Sequence, residues 1–240
     1  MSGHSKWSTI KRQKGLTDNK RGQVFTKLAN FIVLAAKSGG GIDPEMNFKL
    51  RLAIDKARIA NMPKYNIDRA IARALGNQDG ALEEVFFEGF IPGGAAVIVE
   101  GVTDKRQRTV AEIKNLFDKN GGVMGVPGSV SYLFSRVGEI VVSKNGKNEE
   151  EIISAAMEAG VDDFEDDEEV VQLFCRPELL QSVKKTLEEI GFLVLDASTI
   201  YKPLANLKVE DAAHKQRAFD LLEKLDDHDD VQKTYTNMSI

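Results

Sequence analysis

The sequence is poor in the residues that build disulfides, metal sites and catalytic triads. It has one cysteine and three histidines in 240 residues. A lone cysteine forms neither an internal disulfide nor, by itself, a zinc site, and Cys175 ends an apolar run, so we expect a buried thiol. His4, His214 and His228 are widely separated in polar surroundings, which is not the spacing of a triad or a metal pair. We therefore expect surface histidines, no metal and no cofactor.

Long apolar runs are also absent. No stretch approaches the roughly 18 residues that span a bilayer, and the first residues contain no apolar signal core. The glycine run at positions 39–41 lacks the Lys-Ser or Lys-Thr of a phosphate-binding loop and is better explained as a helix end. These absences predict a cytoplasmic protein that is not an enzyme, has no membrane partner and takes no small-molecule substrate.

Carboxylates are concentrated near the end of the chain, at Asp226, Asp227, Asp229 and Asp230. Such a group could attract a divalent cation, but its spacing is not that of a calcium-binding loop. We expect a solvated turn here.

Charge is divided sharply along the chain. Residues 1–75 contain fifteen Lys and Arg against five Asp and Glu, whereas the remaining 165 residues contain 17 against 32. This segregation concerns partners rather than fold, because a basic module raises the local concentration of polyanions. Residues 136–202 contain seven cationic and sixteen anionic residues, so we expect that segment to avoid phosphate backbones. Nucleic acid is the partner that the basic segment favours.

The first residues combine closely spaced cations with the only tryptophan, and we expect an arm that phosphates order on binding. A frayed terminus is the alternative, but this cationic density beside Trp7 favours binding. Lys64, at the start of a predicted helix, is a second candidate because free backbone amides there also favour an anion; a solvated lysine is its alternative. The candidate nucleic-acid-binding residues are His4, Lys6, Trp7, Lys11, Arg12, Lys14, Lys20, Arg21, Lys64 and Tyr65.

Apolar periodicity predicts three helices in the basic segment. One runs near 18–37 and ends at the glycines; a second begins with Asp43 as N-cap and Pro44 in its first turn; a third begins at Pro63 and ends before Gly76. No helix-turn-helix signature identifies one of them as a reading helix for the major groove, so sequence-specific DNA recognition is not established. We define residues 1–80 as a basic three-helix domain with an N-terminal arm.

The rest of the chain alternates strand and helix patterns. Strands are predicted at 85–90, 95–102 and 129–134 with a helix at 106–120, and a later helix at 212–225 and strand at 231–237 complete this domain, which therefore comprises 81–135 and 203–240. Residues 136–202 form an acidic insertion with the strand and helix order of a ferredoxin-like unit. The expected fold class is α+β, with a three-helix domain followed by two ferredoxin-like α/β-sandwich domains, the third inserted in the second.

Long motifs also make the chain resemble the YebC family, whose mitochondrial relatives include the translational activator of cytochrome c oxidase subunit I. The resemblance spans all three predicted domains. It rests on Gly3-His4-Ser5-Lys6-Trp7, Phe25-Thr26-Lys27-Leu28, Leu50-Arg51-Leu52-Ala53-Ile54, Asn61-Met62-Pro63-Lys64, Pro92-Gly93-Gly94, Gly128-Ser129-Val130 and Asp229-Asp230-Val231-Gln232. The family commonly has an acidic residue after Met-Pro-Lys, where this chain has Tyr65, which could stack on a base or, more commonly, pack on a neighbouring helix.

The resemblance implies a three-domain regulator of gene expression, and members are known both as DNA-binding transcriptional regulators and as ribosome-linked translation factors. Family naming favours DNA and transcription. Physical reasoning leans towards structured RNA, ribosomal RNA or the ribosome, because RNA recognition uses shape, loops and aromatic stacking. A protein-binding adaptor, in which the acidic insertion docks a basic protein, is the third hypothesis.

Overall fold

The structure is a computed structural model that describes residues 18–76, 82–145 and 148–239, with side chains from residue 21 onward. The helices, in chain order, are α1 (Asp18–Ser38), α2 (Phe48–Ile59), α3 (Lys64–Leu75), α4 (Arg106–Lys119), α5 (Glu149–Glu158), α6 (Leu180–Glu189) and α7 (Ala212–Asp226). The strands are β1 (Glu83–Phe90), β2 (Ala96–Thr103), β3 (Val123–Met124), β4 (Phe134–Ser143), β5 (Asp163–Asp166), β6 (Val170–Cys175), β7 (Val194–Pro203), β8 (Leu207–Lys208), β9 (Val231–Thr236) and β10 (Met238–Ser239).

The chain divides into two compact units. One contains residues 1–134 and 203–240, and the other contains residues 135–202, which differs by one residue from the predicted insertion. The expected α+β fold class is confirmed. Whether the helical bundle and the sheet of the first unit are separate domains stays a prediction.

Helices α1, α2 and α3 enclose one apolar core in the first unit. Ile32 and Leu50 are fully buried in it, as the three- and four-residue apolar spacing predicts, and Ile67 joins them from α3. Gly40 and Gly41, with φ of 99° and 124°, carry the chain out of α1 in a conformation that favours glycine. The basic segment therefore has the predicted three-helix form.

The start of α2 differs from the prediction. Asp43 and Pro44 lie in a turn, in which Asp43 Oδ1 accepts from the Glu45 amide at 2.9 Å, and the helix starts at Phe48. Asn47 is the N-cap: its side chain accepts from Leu50 N at 3.0 Å and donates to Ala35 O at 2.9 Å and Gly41 O at 2.7 Å. The prediction of Asp43 as the N-cap was therefore wrong. The side-chain NH₂ of Asn47 also donates to two carbonyls of the preceding segment, and an ionised carboxylate such as that of Asp43 has no hydrogen to donate.

The first unit also contains a four-stranded antiparallel sheet with strand order β3-β1-β2-β9. Helices α4 and α7 pack on one face of it, where Phe117 and Leu221 are fully buried with strand residues such as Val97 and Val99. Helix α1 contacts β2 and β9. Strands β8 and β10 form a separate two-stranded parallel pair.

The strand predicted at 129–134 is absent from the structure as described. Residues Ser131–Leu133 form a 3₁₀ turn, and the third strand of the sheet is instead β3, which pairs with Gly89 and Phe90. The cause is Glu88, whose carboxylate accepts from the amides of Gly128, Val130 and Ser131 at 2.8, 2.7 and 2.9 Å. Amides bound to a carboxylate are not available to a strand ladder.

The second unit is a four-stranded sheet with strand order β5-β6-β4-β7, in which β4 and β5 both pair antiparallel with β6. Its chain order of strand, helix, strand, strand, helix, strand is the predicted one. Ile152 of α5 and Leu187 of α6 are fully buried. The sheet of the first unit and its two covering helices follow a different chain order, β1, β2, α4, β3, α7, β9.

Cys175 is buried, as predicted, and burial raises the pKa of its thiol to about 11. Among the helices that the structure describes, none is both long enough and apolar enough to span a membrane.

Candidate nucleic-acid interface

The structure places only part of the predicted interface. His4, Lys6, Trp7, Lys11, Arg12 and Lys14 lie outside the described residues, and so does the side chain of Lys20 in α1. Arg21 is exposed in the first turns of α1, and Lys64 and Tyr65 are the first two residues of α3. The described candidates therefore lie at two helix starts of the bundle.

The start of α3 is uncapped. Pro63 is its N-cap and makes no side-chain hydrogen bond to the helix, and the first turn contains no acidic residue. The amides of Asn66 and Ile67 donate to Pro63 O, which leaves the preceding amides facing outward beside Lys64. Backbone amides, the helix dipole and a lysine thus favour an anion at the same place.

Tyr65 is the other notable side chain here, because it is 73% exposed. The more common alternative, packing against a neighbouring helix, is therefore wrong for the described part of the chain. A tyrosine ring held outside the core next to a lysine can stack on a base while the lysine contacts a phosphate.

Further cations extend the basic character over the bundle. Lys37, Lys49, Arg58 and Arg69 are exposed, and two ion pairs of the bundle are long, Arg51 with Glu45 at 3.9 Å and Arg58 with Asp55 at 3.6 Å. Exposed pairs of this kind contribute only about 0–1 kcal/mol. Residues 21–76 contain ten Lys and Arg against four Asp and Glu. The bundle surface therefore remains attractive to polyanions.

The second unit pairs its cations with its own carboxylates at shorter distances. Lys144 lies 2.6 Å from Asp166, and Lys202 lies 2.7 Å from Asp163. The Lys202 ammonium lowers the pKa of Asp163 through their hydrogen bond. With sixteen acidic against seven basic residues in 136–202, this unit is electrostatically the opposite of the bundle.

The expectation of a solvated turn at 226–230 holds for Asp227 and Asp229, which are exposed, and is wrong for the other two aspartates. Asp226 and Asp230 are buried, and Thr234 Oγ1 donates to Asp226 Oδ1 at 2.7 Å. Asp230 Oδ2 lies 2.6 Å from Thr109 Oγ1 and 2.9 Å from the guanidinium of Arg108. Burial alone would raise the pKa of Asp230, but these two hydrogen bonds and the guanidinium charge hold it below its ordinary value. The cluster joins α4 to the start of β9.

His228 is not the expected surface histidine, because its ring also takes part in this hydrogen-bond cluster. Its Nδ1 accepts from the Asp230 amide at 3.2 Å, so its Nε2 carries the hydrogen and faces Glu112 at 3.1 Å. His214, by contrast, is exposed as expected.

Glu112, His228 and Asp230 have ligand atoms within 4.8 Å of one another, which is close enough for a metal site. A metal would have to displace the Nε2 hydrogen and approach the Arg108 guanidinium. The donor set therefore fits a structural hydrogen-bond cluster better than a cation site.

Comparison with known proteins decides the family. Residues 5–77 match the model described as the TACO1/YebC protein N-terminal domain, and residues 82–238 match the model described as the TACO1/YebC second and third domain. The chain belongs to the TACO1/YebC family. This confirms the resemblance seen in the sequence, and the boundary predicted between residues 80 and 81 falls in the gap between the two TACO1/YebC models.

Relatives within the TACO1/YebC family cover the whole chain. A protein of Chloroflexus aurantiacus is 45% identical over 100% of this chain and 96% of its own length, and one of Caldanaerobacter subterraneus is 44% identical over 100% and 99%; both are named probable transcriptional regulatory protein. The crystal structure of a conserved hypothetical protein from Aquifex aeolicus is 41% identical, with a TM-score of 0.86 over 93% of this chain and 92% of that one. The names of these TACO1/YebC relatives support a regulatory role.

Proposed function

We propose that the protein is a non-enzymatic, cytoplasmic regulator of gene expression that binds nucleic acid through its N-terminal three-helix segment, as a DNA-binding transcriptional regulator. The observation that carries this proposal is the charge division, with fifteen cations against five anions in residues 1–75 and the reverse balance in the rest. Relatives named probable transcriptional regulatory protein support the regulatory part of the proposal.

In this proposal the bundle and the arm contact phosphates. Arg21, Lys64 and the arm cations Lys6, Lys11, Arg12, Lys14 and Lys20 supply charge without reading sequence. His4 and Trp7 contact a base or a strand end. The acidic second unit, which phosphates repel, orients the molecule so that the bundle meets the nucleic acid.

A second candidate is a translation factor that binds ribosomal RNA or the ribosome. Tyr65 favours it, because an exposed aromatic ring next to Lys64 suits an unstacked base, and such bases occur in RNA loops rather than in intact duplexes. A protein-binding adaptor is the third hypothesis; it predicts that reversing the charges of the bundle leaves partner binding intact.

The first experiment measures the salt dependence of binding. Full-length protein is titrated against labelled duplex DNA and against a structured ribosomal RNA fragment of equal length, over a range of salt concentrations. We expect Lys64→Glu to weaken binding and to flatten the slope of log affinity against log salt by about 0.7–0.9, as for one lost phosphate contact.

Lys185→Glu is the matched control, because Lys185 is also exposed but lies in the acidic unit. Equal effects of the two variants would contradict binding through the bundle. The Tyr65→Ala variant tests the RNA alternative. An affinity loss for the RNA probe alone supports stacking, whereas an unchanged affinity for both probes contradicts it.

The second experiment follows the protein through a sucrose gradient of DNase-treated lysate at low and moderate salt. Salt-sensitive migration with ribosomal particles, lost when Lys6, Lys11 and Lys14 are reversed, would favour the translation factor. Migration only at the top of the gradient would contradict stable ribosome association and favour the DNA-binding regulator.

A further inference from the structure

The first unit contains a cleft of about 270 Å³ that the proposed interface does not use. One wall is the β1–β2 turn at 90–94, a second is Gly121 and Val123 after α4, and a third is His214 and Arg217 of α7. The cleft therefore lies where two glycine-containing turns meet the beginning of a helix.

The helical wall offers the guanidinium of Arg217 and the ring nitrogens of His214. His214 and Arg217 are three residues apart and share one helix face. His214 Nδ1 lies 3.5 Å from Asp211 Oδ1, but that oxygen already accepts from the His214 amide at 2.6 Å as the N-cap of α7. In the part of the chain that the structure describes, Arg217 has no carboxylate partner. A guanidinium that no carboxylate occupies is suited to bind a phosphate with two parallel hydrogen bonds.

The opposite walls are apolar or bare backbone. Val123 and Pro92 line the cleft; Val123 is 64% exposed and supplies its accessible apolar surface, whereas Pro92 is buried. Gly94 and Gly121 have φ of 83° and 75°; a Cβ at Gly94 would meet no atom within 4 Å, and one at Gly121 only Pro92 Cγ at 3.9 Å. The space beside these two glycines is thus open, in contrast to Gly93, where a Cβ would lie 2.6 Å from Val209.

We propose that this cleft binds one nucleotide unit, with its phosphate at Arg217 and His214 and its base against Pro92 and Val123. The partner class rests on the proposed function. A volume just below the usual range of ligand pockets suits one nucleotide and excludes a duplex, so the unit comes from a single strand or from a free mononucleotide. Apolar walls accept any base, as single-strand binding requires.

The cleft is separate from the basic bundle. The bundle contacts α7 at its other end, where Lys27 Nζ donates to Asp226 O at 2.5 Å. From Arg217 to Asp226 the helix rises by about 14 Å, at 1.5 Å per residue. Substitutions in the cleft can therefore be tested without changing the bundle.

The test compares Arg217→Glu with Lys215→Glu in the full-length protein. Lys215 lies two residues away on the same helix but does not line the cleft, so both variants change the net charge by the same amount. Arg217 is exposed, and an unchanged melting temperature confirms folding. The probes are a short single-stranded oligonucleotide and the duplex of the same sequence.

We expect Arg217→Glu to weaken single-strand binding by at least about tenfold and duplex binding by less than about twofold, because only the single strand loses its charge-assisted phosphate contact. Lys215→Glu should stay within about twofold of the wild type on both probes, as for a change in screened field alone. Equal losses in the two variants overturn the proposal and leave the proposed function standing. Wild-type protein that binds neither probe overturns both.

A second measurement identifies the source of the ligand. Adenosine monophosphate is added to isotope-labelled protein, and the amide signals of Gly93, Gly94 and Gly121 are followed. Saturable shifts that Arg217→Glu abolishes support a mononucleotide site, and single-strand binding without them assigns the cleft to a strand. Equal shifts with N-acetylglycine at the same concentration would overturn the nucleotide assignment in favour of a carboxylate.

Discussion

Replacing Asn47 with alanine tests how the basic bundle is held together. Asn47 is fully buried, and its side chain connects three segments: the end of α1 at Ala35, the glycine turn at Gly41 and the first turn of α2 at Leu50. Alanine removes all three hydrogen bonds and leaves the backbone groups in place. The loss should therefore exceed that of an ordinary helix cap.

The magnitude follows from the separate contacts. Loss of an N-cap costs about 1 kcal/mol. Ala35 O keeps a second donor, Gly39 N at 3.0 Å, and Gly41 O is only partly buried, so the two abandoned carbonyls together add about 1–2 kcal/mol. A total of about 2–3 kcal/mol corresponds to a fall of roughly 5–10 °C in the melting temperature of a domain of this size.

The assay is calorimetry combined with urea unfolding, with two controls. Asn148→Ala removes an exposed asparagine cap, which accepts only from Glu150 N at 3.2 Å, and should cost about 1 kcal/mol or less. Asp43→Ala should cost still less, since its side chain makes one exposed hydrogen bond within a turn. The reasoning is refuted if Asn47→Ala costs no more than Asn148→Ala.

Three further predictions concern the rest of the fold. Thr109→Val should destabilise the first unit by about 1–3 kcal/mol in urea unfolding, because buried Asp230 loses a donor. A change no larger than that of Arg106→Ala, whose ion pair with Glu83 is exposed, would contradict this. Burial raises the pKa of Glu88, but three backbone hydrogen bonds bring it below its ordinary value of 4.5. The carboxylate therefore stabilises the fold above pH 4.5, and this stabilisation is lost as the pH falls through the lower pKa of the folded state. Glu88→Gln should reduce stability at neutral pH and flatten the acid side of the profile of melting temperature against pH. Cys175, with a pKa of about 11, should react with a thiol reagent at pH 8 only after unfolding, and fast reaction of native protein would show that the β6 end opens.

Apolar periodicity and glycine placement were sufficient to predict most helices and strands. Leu50 and Ile54 recur on one face of α2, and the alternation in β1, the apolar run in β2 and the glycine turn between them give the pairing of the two strands. The Lys64–Tyr65 pair could also be identified, because a proline before a lysine at the start of a periodic run is a local signal. Features that depend only on neighbouring residues in the sequence can thus be predicted without knowing the tertiary contacts.

The misplaced features depend on contacts between distant residues. Asn47 caps α2 because Ala35 and Gly41 lie beside it, and Glu88 holds amides about forty residues away. Asp230 is buried because Thr109 meets it from α4. A run of aspartates gives no sign of this in the sequence, and the cleft beside Arg217 likewise exists only once α7 packs against the glycine turns.

The position of β9 has a consequence for biosynthesis. Strand β2 pairs with β9, and Val231 and Leu221 complete the core that Phe117 begins, so during synthesis the first sheet lacks one edge strand and one covering helix until residue 236 has emerged from the ribosome. All strands and helices of the 135–202 unit emerge earlier. The inserted unit is thus able to fold before β9 is available to the sheet of the first unit. Leu204 N donates to Leu133 O at 2.9 Å, and this hydrogen bond fixes the point where the chain returns from the inserted unit to the first unit.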